Sequence, residues 1–166
     1  MEEFLQETKH FLWSQHESIT ELEAVGGYPI MMNEFKRETD DKIHVVIGNE
    51  SCDLDSVVAA LTHGYFLHKT SSSSQTKCLP VLNTPKSQFH LRTDSKYLLS
   101  QTGINPDHLT FKDDLDLQDL HLKGRLSLTL VDHNVLAGEH ASLEGSVVMV
   151  IDHHQLERKP CDRSAL

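Results

Sequence analysis

The sequence predicts an α/β fold in which a mostly parallel sheet is flanked by helices. Two observations indicate it. Short runs of β-branched and other apolar residues alternate with segments of helical periodicity, and glycines or capping residues separate the two kinds of segment. Because connections between parallel strands are right-handed, most strands would end at one edge of the sheet. Open α/β sheets bind their ligands at that edge, so functional residues are expected directly after the strands.

The length and charge of the chain limit its classes of function. Its 166 residues give room for one domain, and a hydrophobic content of 38% is typical of a globular protein. The formal net charge of −10, from 25 acidic against 15 basic residues, disfavours nucleic acid or an anionic membrane as the partner. It does not exclude an anionic substrate, because a bound divalent cation reverses the local field.

The cysteines and the opening residues favour a reduced, cytoplasmic protein. Cys52, Cys78 and Cys161 are well separated and form no CxxC pair. The acidic opening "MEEFLQETKH" lacks the apolar core of a signal peptide. No apolar run is long enough to cross a bilayer.

Residues 1–41 are predicted to form an N-terminal helix plus an irregular insertion. The apolar residues of "MEEFLQETKHFLWSQ" recur at the spacing of a short amphipathic helix: they are Phe4, Leu5, Phe11, Leu12 and Trp13. The following residues, 16–41, show no clear period, and Gly26, Gly27 and Pro29 break regular structure there. This part is therefore interpreted as a loop or surface insertion.

The regular pattern begins at Lys42. "IHVVIG" (43–48) is rich in β-branched residues and predicts a buried strand. "VVAALTHGYFLHK" (57–69) predicts a helix, for which Asp55 or Ser56 would be the N-cap.

The remaining elements continue the alternation. "SSSSQ" (71–75) predicts a flexible connection, and "CLPVLN" (78–83) predicts a strand, although Pro80 disfavours one. The elements that follow are helix 94–103 ending at Gly103, strand 108–111, helix 114–124 ending at Gly124, strand 126–131 before Asp132, and strand 147–151 before Asp152.

Acidic and imidazole groups follow three of these strands. Asp53 and Asp55 come after the first, Asp132 after a later one, and the triplet 152–154, Asp-His-His, after the last. Taken singly, each is more often a solvated turn, a helix cap or a strand end. Three such elements, each behind an apolar strand, are together hard to obtain by chance and predict a shared metal site.

The chemistry of that site follows from the residue types. Clustered carboxylates repel each other, and a bound cation removes the conflict. Aspartate oxygens with imidazole suit Mn²⁺ or Mg²⁺ better than a thiolate-binding metal. Two ions that share a bridging carboxylate can generate hydroxide and bind a phosphate. A neighbouring histidine can then donate a proton to the phosphate or the leaving group.

The motifs resemble those of a known family. "GNESCDLDS" (48–56), "LVDHN" (130–134) and "VIDHH" (150–154) look like the successive motifs of the DHH phosphoesterase superfamily. "LPVLN" and the opening "MEEFLQ" are similar to its prune and exopolyphosphatase branch. The resemblance extends over about residues 42–157, so 42–166 is predicted to be a partial DHH phosphoesterase domain.

The resemblance implies a role for each residue of the motifs. The implied metal ligands are Asp53, Asp55, Asp132 and His153, with Asp132 bridging both ions. His154 is expected to contact phosphate and assist the leaving group, and Asp152 to orient the histidine pair. Asn49 stands where related pyrophosphatases carry histidine. It is expected near the metal as a catalytic or substrate-binding residue rather than a strong ligand. His133 marks the second motif and is a weaker candidate.

The implied activity is metal-dependent phosphohydrolysis with Mn²⁺ or Mg²⁺, in which a metal-activated water attacks. The implied substrates are short-chain polyphosphate or pyrophosphate, whose bonds are phosphoanhydrides, and cyclic nucleotides are attributed to this branch as well. Protein partners implied by the resemblance are nucleoside-diphosphate-kinase and cell-motility proteins.

The chain departs from the family pattern in two respects. The family does not explain "ESITELEAVGGYPIMMNEF" (17–35). Family members also continue with a further metal-binding aspartate, which Asp162 does not replace, and with a second domain that closes over the substrate. A truncated, C-terminally incomplete prune homologue is therefore expected, with weak Mn²⁺ binding, little activity, and an exposed sheet edge or apolar face.

Two alternatives compete with this interpretation. "DLDSV" resembles the DxDx[TV] nucleophile motif of haloacid-dehalogenase-like phosphatases, but four residues separate Gly48 from Asp53, and Asp132 and the DHH triplet are left unexplained. The other alternative is a non-catalytic regulatory or interaction module that retains a relic half-site. A zinc site is weaker than either, because no cysteine lies at ligand spacing.

Overall fold

The computed structural model describes residues 42–70 and 76–157. The predicted N-terminal helix and insertion (1–41), the connection at 71–75, and Cys161 and Asp162 lie outside the described residues. The regular elements are β1 Lys42–Ile47, α1 Leu54–Thr70, β2 Thr76–Leu82, α2 Thr93–Thr102, β3 Thr110–Phe111, α3 Leu117–Leu122, β4 Leu126–Val131 and β5 Val147–Ile151. Short 3₁₀ segments lie at Lys86–Leu91, Pro106–His108, Lys112–Asp114 and Gly138–Ser146.

The five strands form one sheet in the order β3-β2-β1-β4-β5, and every pairing is parallel. The predicted α/β class and parallel sheet are thus confirmed. The chain moves from β1 outward to β2 and β3, and then returns to β4 on the other side of β1. The carboxyl ends of β1, β4 and β5 are consequently neighbours, and the loops that follow them meet at the point where the strand order reverses.

Helices cover the sheet on two faces. On one face Val46 and Val131 pack against Ala60 of α1. On the other face Val45 and Leu128 belong to a cluster that includes Leu120 of α3, together with the 3₁₀ residue Leu143. The alternation along each strand therefore fills two separate cores, and the central strands β1 and β4 are buried from both sides.

Helix α1 begins earlier than the sequence predicted. The N–H of Ser56 donates to Asp53 Oδ1 at 3.1 Å, and the N–H of Val57 donates to the Asp53 carbonyl at 2.9 Å. Asp53 is therefore the N-cap, and the prediction of Asp55 or Ser56 was wrong. Asp55 lies in the first helical turn instead, where its negative charge is favourable.

Helix α3 is shorter than predicted. Asp116 accepts from the N–H of Asp119 at 2.8 Å and caps the helix, so the predicted start at 114 was wrong. Asp114 instead accepts from the N–H of Phe111 at 2.8 Å within a 3₁₀ turn. The predicted helix ends at Gly103 and Gly124 are observed, and both glycines have the left-handed φ that favours this residue.

Strand β2 contains Pro80 in a part of the strand that β3 does not reach, and this explains why the proline is tolerated. Strand β3 pairs with Val81 and Leu82, and no described strand pairs with β2 beside Pro80 on that side. The predicted strand 108–111 is reduced to its last two residues, because Asn105 caps a 3₁₀ turn by accepting from the N–H of Asp107 at 2.9 Å.

Two further predictions, on the cysteines and on membrane-spanning segments, concern the described residues. Cys52 and Cys78 are free and buried. None of the helices in the described part of the chain has the length and apolar character needed to span a membrane.

Candidate metal centre

Asp132 occupies a tight turn directly after β4. Its backbone has φ 59, a left-handed conformation that aspartate adopts more readily than most residues. Its N–H donates to the carbonyl of Ile151 at 2.9 Å, which ties the turn to the end of β5. The residue is 8% exposed, so its carboxylate is held in a defined position beside the β5 loop.

Two histidines of the β5 loop meet this carboxylate. His153 Nε2 lies 3.3 Å and His154 Nδ1 lies 3.7 Å from Asp132 Oδ1. One potential ligand atom from each of these three residues lies within 4.8 Å of the others. His153 Nε2 also lies 3.7 Å from Asp55 Oδ2, which projects from the first turn of α1 and is exposed. Residues from three separate segments therefore surround one small space.

The β1–α1 loop carries Asp53, the remaining acidic residue of the predicted metal ligands. Asp53 uses Oδ1 to cap α1, and its Oδ2 accepts from the hydroxyl of Ser51 at 2.9 Å. The loop passes so close to α1 that a Cβ on Gly48 would lie 2.0 Å from Ser56 Oγ. The same hydroxyl oxygen accepts from the N–H of Asn49 at 2.7 Å. Gly48 therefore allows the loop that carries Asp53 to close onto the helix.

Asn49 joins the two halves of the site. Its Nδ2 donates to Asp132 Oδ2 at 2.7 Å, while its Oδ1 accepts from the Cys52 N–H at 3.0 Å and lies 2.7 Å from the Ser51 hydroxyl, whose single proton it shares with Asp53 Oδ2. The amide oxygen, the atom that could bind a cation, is thus occupied by loop donors. In this arrangement Asn49 orients Asp132.

Electrostatics at Asp132 indicate a site suited to positive charge. Burial raises the pKa of its carboxyl, and the nearby carboxylates of Asp55 and Asp53 raise it further, while His154 and His153 oppose them. A divalent cation would relieve this repulsion. Carboxylate oxygens and imidazole nitrogens are donors for such an ion, so the residues present fit one.

His154 is held by Asp152. The Asp152 carboxylate accepts from Nδ1 of His154 at 2.7 Å and from its N–H at 3.2 Å. Burial opposes ionisation of Asp152, but the hydrogen bonds from His154 and Asn134 outweigh it and lower its pKa to about 2. The hydrogen bond to Asp152 raises the pKa of His154, and this effect is larger than the lowering caused by desolvation.

Asn134 is a residue of the site that the sequence analysis did not identify. Its Nδ2 donates to Asp152 Oδ2 and to the Gln155 carbonyl at 3.0 Å, and its Oδ1 accepts from the N–H of Glu157 at 2.9 Å. It therefore fixes the β5 loop. A signal was present, because Asn134 follows Asp132 at the spacing at which His154 follows Asp152.

His133 is placed apart from the cluster. Its Nδ1 lies 2.9 Å from the Val131 carbonyl, so this side of the ring is directed at its own strand. It does line a hollow of about 270 Å³ beside the site, whose lining residues are Asn49, Asp132, His133, Asn134, Val135, Asp152, His154, Gln155 and Glu157. This hollow has no lysine or arginine among its described lining residues.

A larger hollow lies elsewhere on the molecule. It measures about 720 Å³ and is lined mainly by acidic and apolar residues of the 3₁₀ segments and α3, among them Asp113 and Asp116. Its lysine, Lys112, is paired with Glu139 at 2.7 Å. None of the predicted site residues lines it, and its acidic lining disfavours a polyanionic ligand.

Comparison with known proteins gives a consistent assignment. Residues 43–165 match the DHH family, N-terminal domain. The chain is 44% identical over 119 residues to "Exopolyphosphatase PRUNE1" of Mus musculus, and 42% identical over 119 residues to the protein of the same name from Homo sapiens. It is also 42% identical over 112 residues, 68% of its length, to "Protein prune homolog 2" of Mus musculus, of which 4% is covered.

The matches to the two exopolyphosphatases cover 72% of this chain and 26% of each relative. The chain therefore spans about a quarter of the length of those proteins. The family match includes the segments after β1, β4 and β5 that together form the candidate metal centre. On this evidence, the chain belongs to the DHH family: its residues 43–165 match the N-terminal domain of that family.

Proposed function

We propose that this chain is a metal-dependent phosphohydrolase of the prune and exopolyphosphatase type. Its substrates would be pyrophosphate and other short inorganic polyphosphates, and its metal Mn²⁺ or Mg²⁺. The observation that carries the proposal is the meeting of Asp132, His153 and His154 within 4.8 Å at the carboxyl edge of the sheet. The names of the exopolyphosphatase relatives support the class of substrate.

In this proposal four residues hold the metal: Asp53, Asp55, Asp132 and His153. Bound divalent ions would supply positive charge for the phosphate oxygens and make water more acidic. Asp132 is the best placed to serve two ions, because it lies between the β1–α1 loop and the β5 loop. Asn49 acts through Asp132 by fixing the direction of Oδ2.

His154 is proposed as the residue that contacts phosphate. Its Nδ1 is engaged by Asp152, which leaves Nε2 to face the substrate. The raised pKa of His154 favours the protonated ring, which can donate a proton to the leaving phosphate oxygen. Asp152, with a pKa of about 2, remains ionised at neutral pH and holds the ring in this orientation.

Turnover by this chain alone is expected to be slow. No lysine or arginine lines the 270 Å³ hollow among the described residues, so the charge of a polyphosphate is met by cations and histidine alone. Electrostatic stabilisation of the transition state usually contributes much of catalysis. A cyclic nucleotide, which carries less charge, would depend less on such groups and is the second substrate to compare.

The test measures phosphate release from tripolyphosphate with Mn²⁺. We expect slow release that chelation abolishes and that Asp132→Ala eliminates. Asp107→Ala is the matched control, because it removes an exposed carboxylate remote from the cluster and should leave the rate unchanged. Release that is equal in the Asp132→Ala variant and the unchanged chain would contradict the proposal. Rapid release would contradict only the expectation of slow turnover.

The alternative is a non-catalytic interaction module. It is favoured by the fact that Asp53 and Asp55 lie outside the three-residue cluster, which weakens the site for a cation. One relative, moreover, is named "Protein prune homolog 2", with no activity in its name. An unchanged melting temperature with added Mn²⁺ would support this alternative, as would loss of binding to a nucleoside-diphosphate-kinase or cell-motility protein on deletion of the first 40 residues. A cytoplasmic location is common to both proposals.

A further inference from the structure

The hollow of about 720 Å³ lies toward the edge of the sheet at which the strands end. Of its lining residues, Pro85 follows β2, Asp113 follows β3, and His140 follows β4 in the chain. Ligands of open α/β proteins bind at this edge, and the volume is in the range of sites for small molecules. The hollow is therefore a second place at which a ligand could bind, separate from the candidate metal centre.

The lining of this hollow is strongly acidic, and we call it the acidic hollow. Four carboxylates stand against one ammonium group, namely Asp113, Asp114, Asp116 and Glu139 against Lys112. Lys112 shows how the hollow receives a positive group, because its Nζ donates to Glu139 Oε1 at 2.7 Å. No described lysine or arginine pairs with the other three carboxylates, so the hollow keeps an excess of negative charge.

Backbone donors hold two of these carboxylates in place. Asp114 Oδ2 accepts from the N–H of Phe111 at 2.8 Å, and Asp116 Oδ1 accepts from the N–H of Asp119 at 2.8 Å. Among the described residues no donor reaches the second oxygen of either carboxylate. A ligand could bind these two oxygens without ordering either side chain, which lowers the entropic cost of binding.

A buried histidine lines the hollow without a hydrogen-bond partner. His140 is 8% exposed, and Glu139 Oε1 lies 4.0 Å from its Nε2, which is too far for a hydrogen bond. Burial lowers the pKa of the His140 ring more than the Glu139 carboxylate raises it, so the ring is neutral at pH 7. One nitrogen of a neutral imidazole accepts a hydrogen bond. An ammonium group in the hollow would supply the donor that the described residues do not provide.

The acidic hollow suits an extended organic cation better than a metal ion. Among the described residues, only Asp132, His153 and His154 bring three possible ligand atoms within 4.8 Å of one another. The donors of the hollow are therefore too widely spaced for a ready coordination sphere. Its lining also includes apolar side chains, which contact methylene groups favourably: Leu115, Leu117 and Leu143.

We propose that the acidic hollow binds an aliphatic polyamine. Its ammonium groups would bind Asp114, Asp116 and His140, and the methylene groups between them would contact the leucines of the lining. A polyamine combines separated positive charges with apolar linkers, which is the pattern that this lining complements. The site does not depend on the proposed hydrolase activity, and its ligand has the charge opposite to that of polyphosphate.

Isothermal titration calorimetry of the full chain with the triamine spermidine tests the proposal. We expect saturable binding that is stronger than that of the diamine putrescine, and no binding of butane-1,4-diol, which lacks the charges. Asp114→Asn combined with Asp116→Asn should weaken spermidine binding about tenfold, while the amide oxygens still accept the two backbone hydrogen bonds. Asp94→Asn combined with Asp107→Asn is the matched control, because it removes the same charge from exposed residues outside the hollow and should leave the affinity unchanged.

NMR of the His140 ring gives a local measurement that does not depend on these variants. Its signal, assigned by its loss in His140→Phe, should shift when spermidine is added to the unchanged chain. No shift would overturn the proposal, and so would equal spermidine affinity in the two double variants, because binding would then be a general attraction to an acidic chain.

Two further results would replace the polyamine with another occupant and would also overturn the proposal. One is displacement of spermidine by an equal concentration of Mg²⁺ that produces its own shift of the His140 signal, since the hollow would then bind a metal ion. The other is a lysine-rich peptide that binds much more tightly than spermidine and loses this binding with Asp114→Asn and Asp116→Asn, since the occupant would then be a segment of a partner protein.

Discussion

Nδ1 of His154 lies 2.7 Å from Oδ1 of Asp152, two residues earlier in the same loop. This contact occupies Nδ1, so Nε2 is the ring nitrogen left for the proposed contact with phosphate, and it favours the protonated form of the ring. Asn134, from the turn after β4, holds the same carboxylate. The orientation of His154 therefore depends on residues that follow two different strands. Removing the charge of Asp152 should change the pKa and orientation of the His154 ring with little effect on the fold.

Asp152→Asn should lower the pKa of His154 toward its ordinary value, because the charge that raises it is lost. NMR titration of the ring in the metal-free protein measures this directly. Phosphate release should fall about tenfold, as is usual when a group that orients a metal-site residue is removed. Asp107→Asn is the control and should change neither quantity. An unchanged His154 pKa would show that Asp152 does not hold the ring in solution.

Asn49→Ala should weaken Mn²⁺ binding about tenfold, because Asp132 Oδ2 loses the amide that orients it. Isothermal titration calorimetry measures the affinity. Asn105→Ala offers a matched control, since Asn105 also makes a side-chain hydrogen bond, but to the 3₁₀ turn at Asp107. The control should lower stability slightly and leave the affinity unchanged. Equal Mn²⁺ affinity in both variants would remove Asn49 from the site.

Gly48→Ala should destabilise the protein by about 1–3 kcal/mol, because the new Cβ would overlap Ser56 Oγ in a packed loop. Urea unfolding measures the free energy. Gly124→Ala provides a contrast: it has open space around the Cβ and φ 64, so only backbone strain of about 1 kcal/mol is expected. A Gly48→Ala cost no larger than that of Gly124→Ala would mean that the loop is free to move away from α1.

The sequence alone was sufficient to predict a parallel sheet and the edge at which Asp132, His153 and His154 meet. Strand identity depends on local apolar patterns, and the parallel arrangement follows from the alternation with helices. The choice of N-cap could not be predicted, because Asp53, Asp55 and Ser56 are all good capping residues. Local geometry decides it: Cys52, with φ 48, turns the chain so that Asp53 is the first residue able to reach the α1 N–H groups.

Two other features depend on tertiary structure. The Asn49–Asp132 hydrogen bond joins residues 83 positions apart, and no local pattern records it. The apolar sequence of β5 is equally typical of a central and an edge strand, so the identity of the exposed residues was not predictable. The strand order decides it, since β5 lies at the end of the sheet and Met149 and Ile151 remain accessible.

Stability should depend on pH through His44. Burial, followed by the charge of His63, lowers its pKa in the folded protein from 6.5. When the pH falls through 6.5, the His44 ring is therefore protonated in the unfolded chain before it is protonated in the folded protein. The free energy of unfolding decreases until the pH reaches the lower pKa that His44 has in the folded protein. His44→Gln, which can still bond Thr129, should flatten the fall in unfolding free energy between about pH 7.5 and about pH 5.5. Identical slopes for the two proteins would refute the assignment.

Asp53 has two roles that substitution can separate. Its Oδ1 caps α1, while its Oδ2 accepts from the Ser51 hydroxyl, and its negative charge raises the pKa of Asp132 in the candidate metal centre. Asp53→Ser keeps a capping oxygen and removes the carboxylate, so unfolding free energy should stay nearly unchanged while Mn²⁺ affinity falls. Asp53→Ala should lose the same affinity and a further ~1 kcal/mol of stability. Chemical denaturation and calorimetry on both variants provide the comparison. If Asp53→Ser retained full Mn²⁺ affinity, the carboxylate would be a helix cap only, and the metal would depend on the residues that follow β4 and β5.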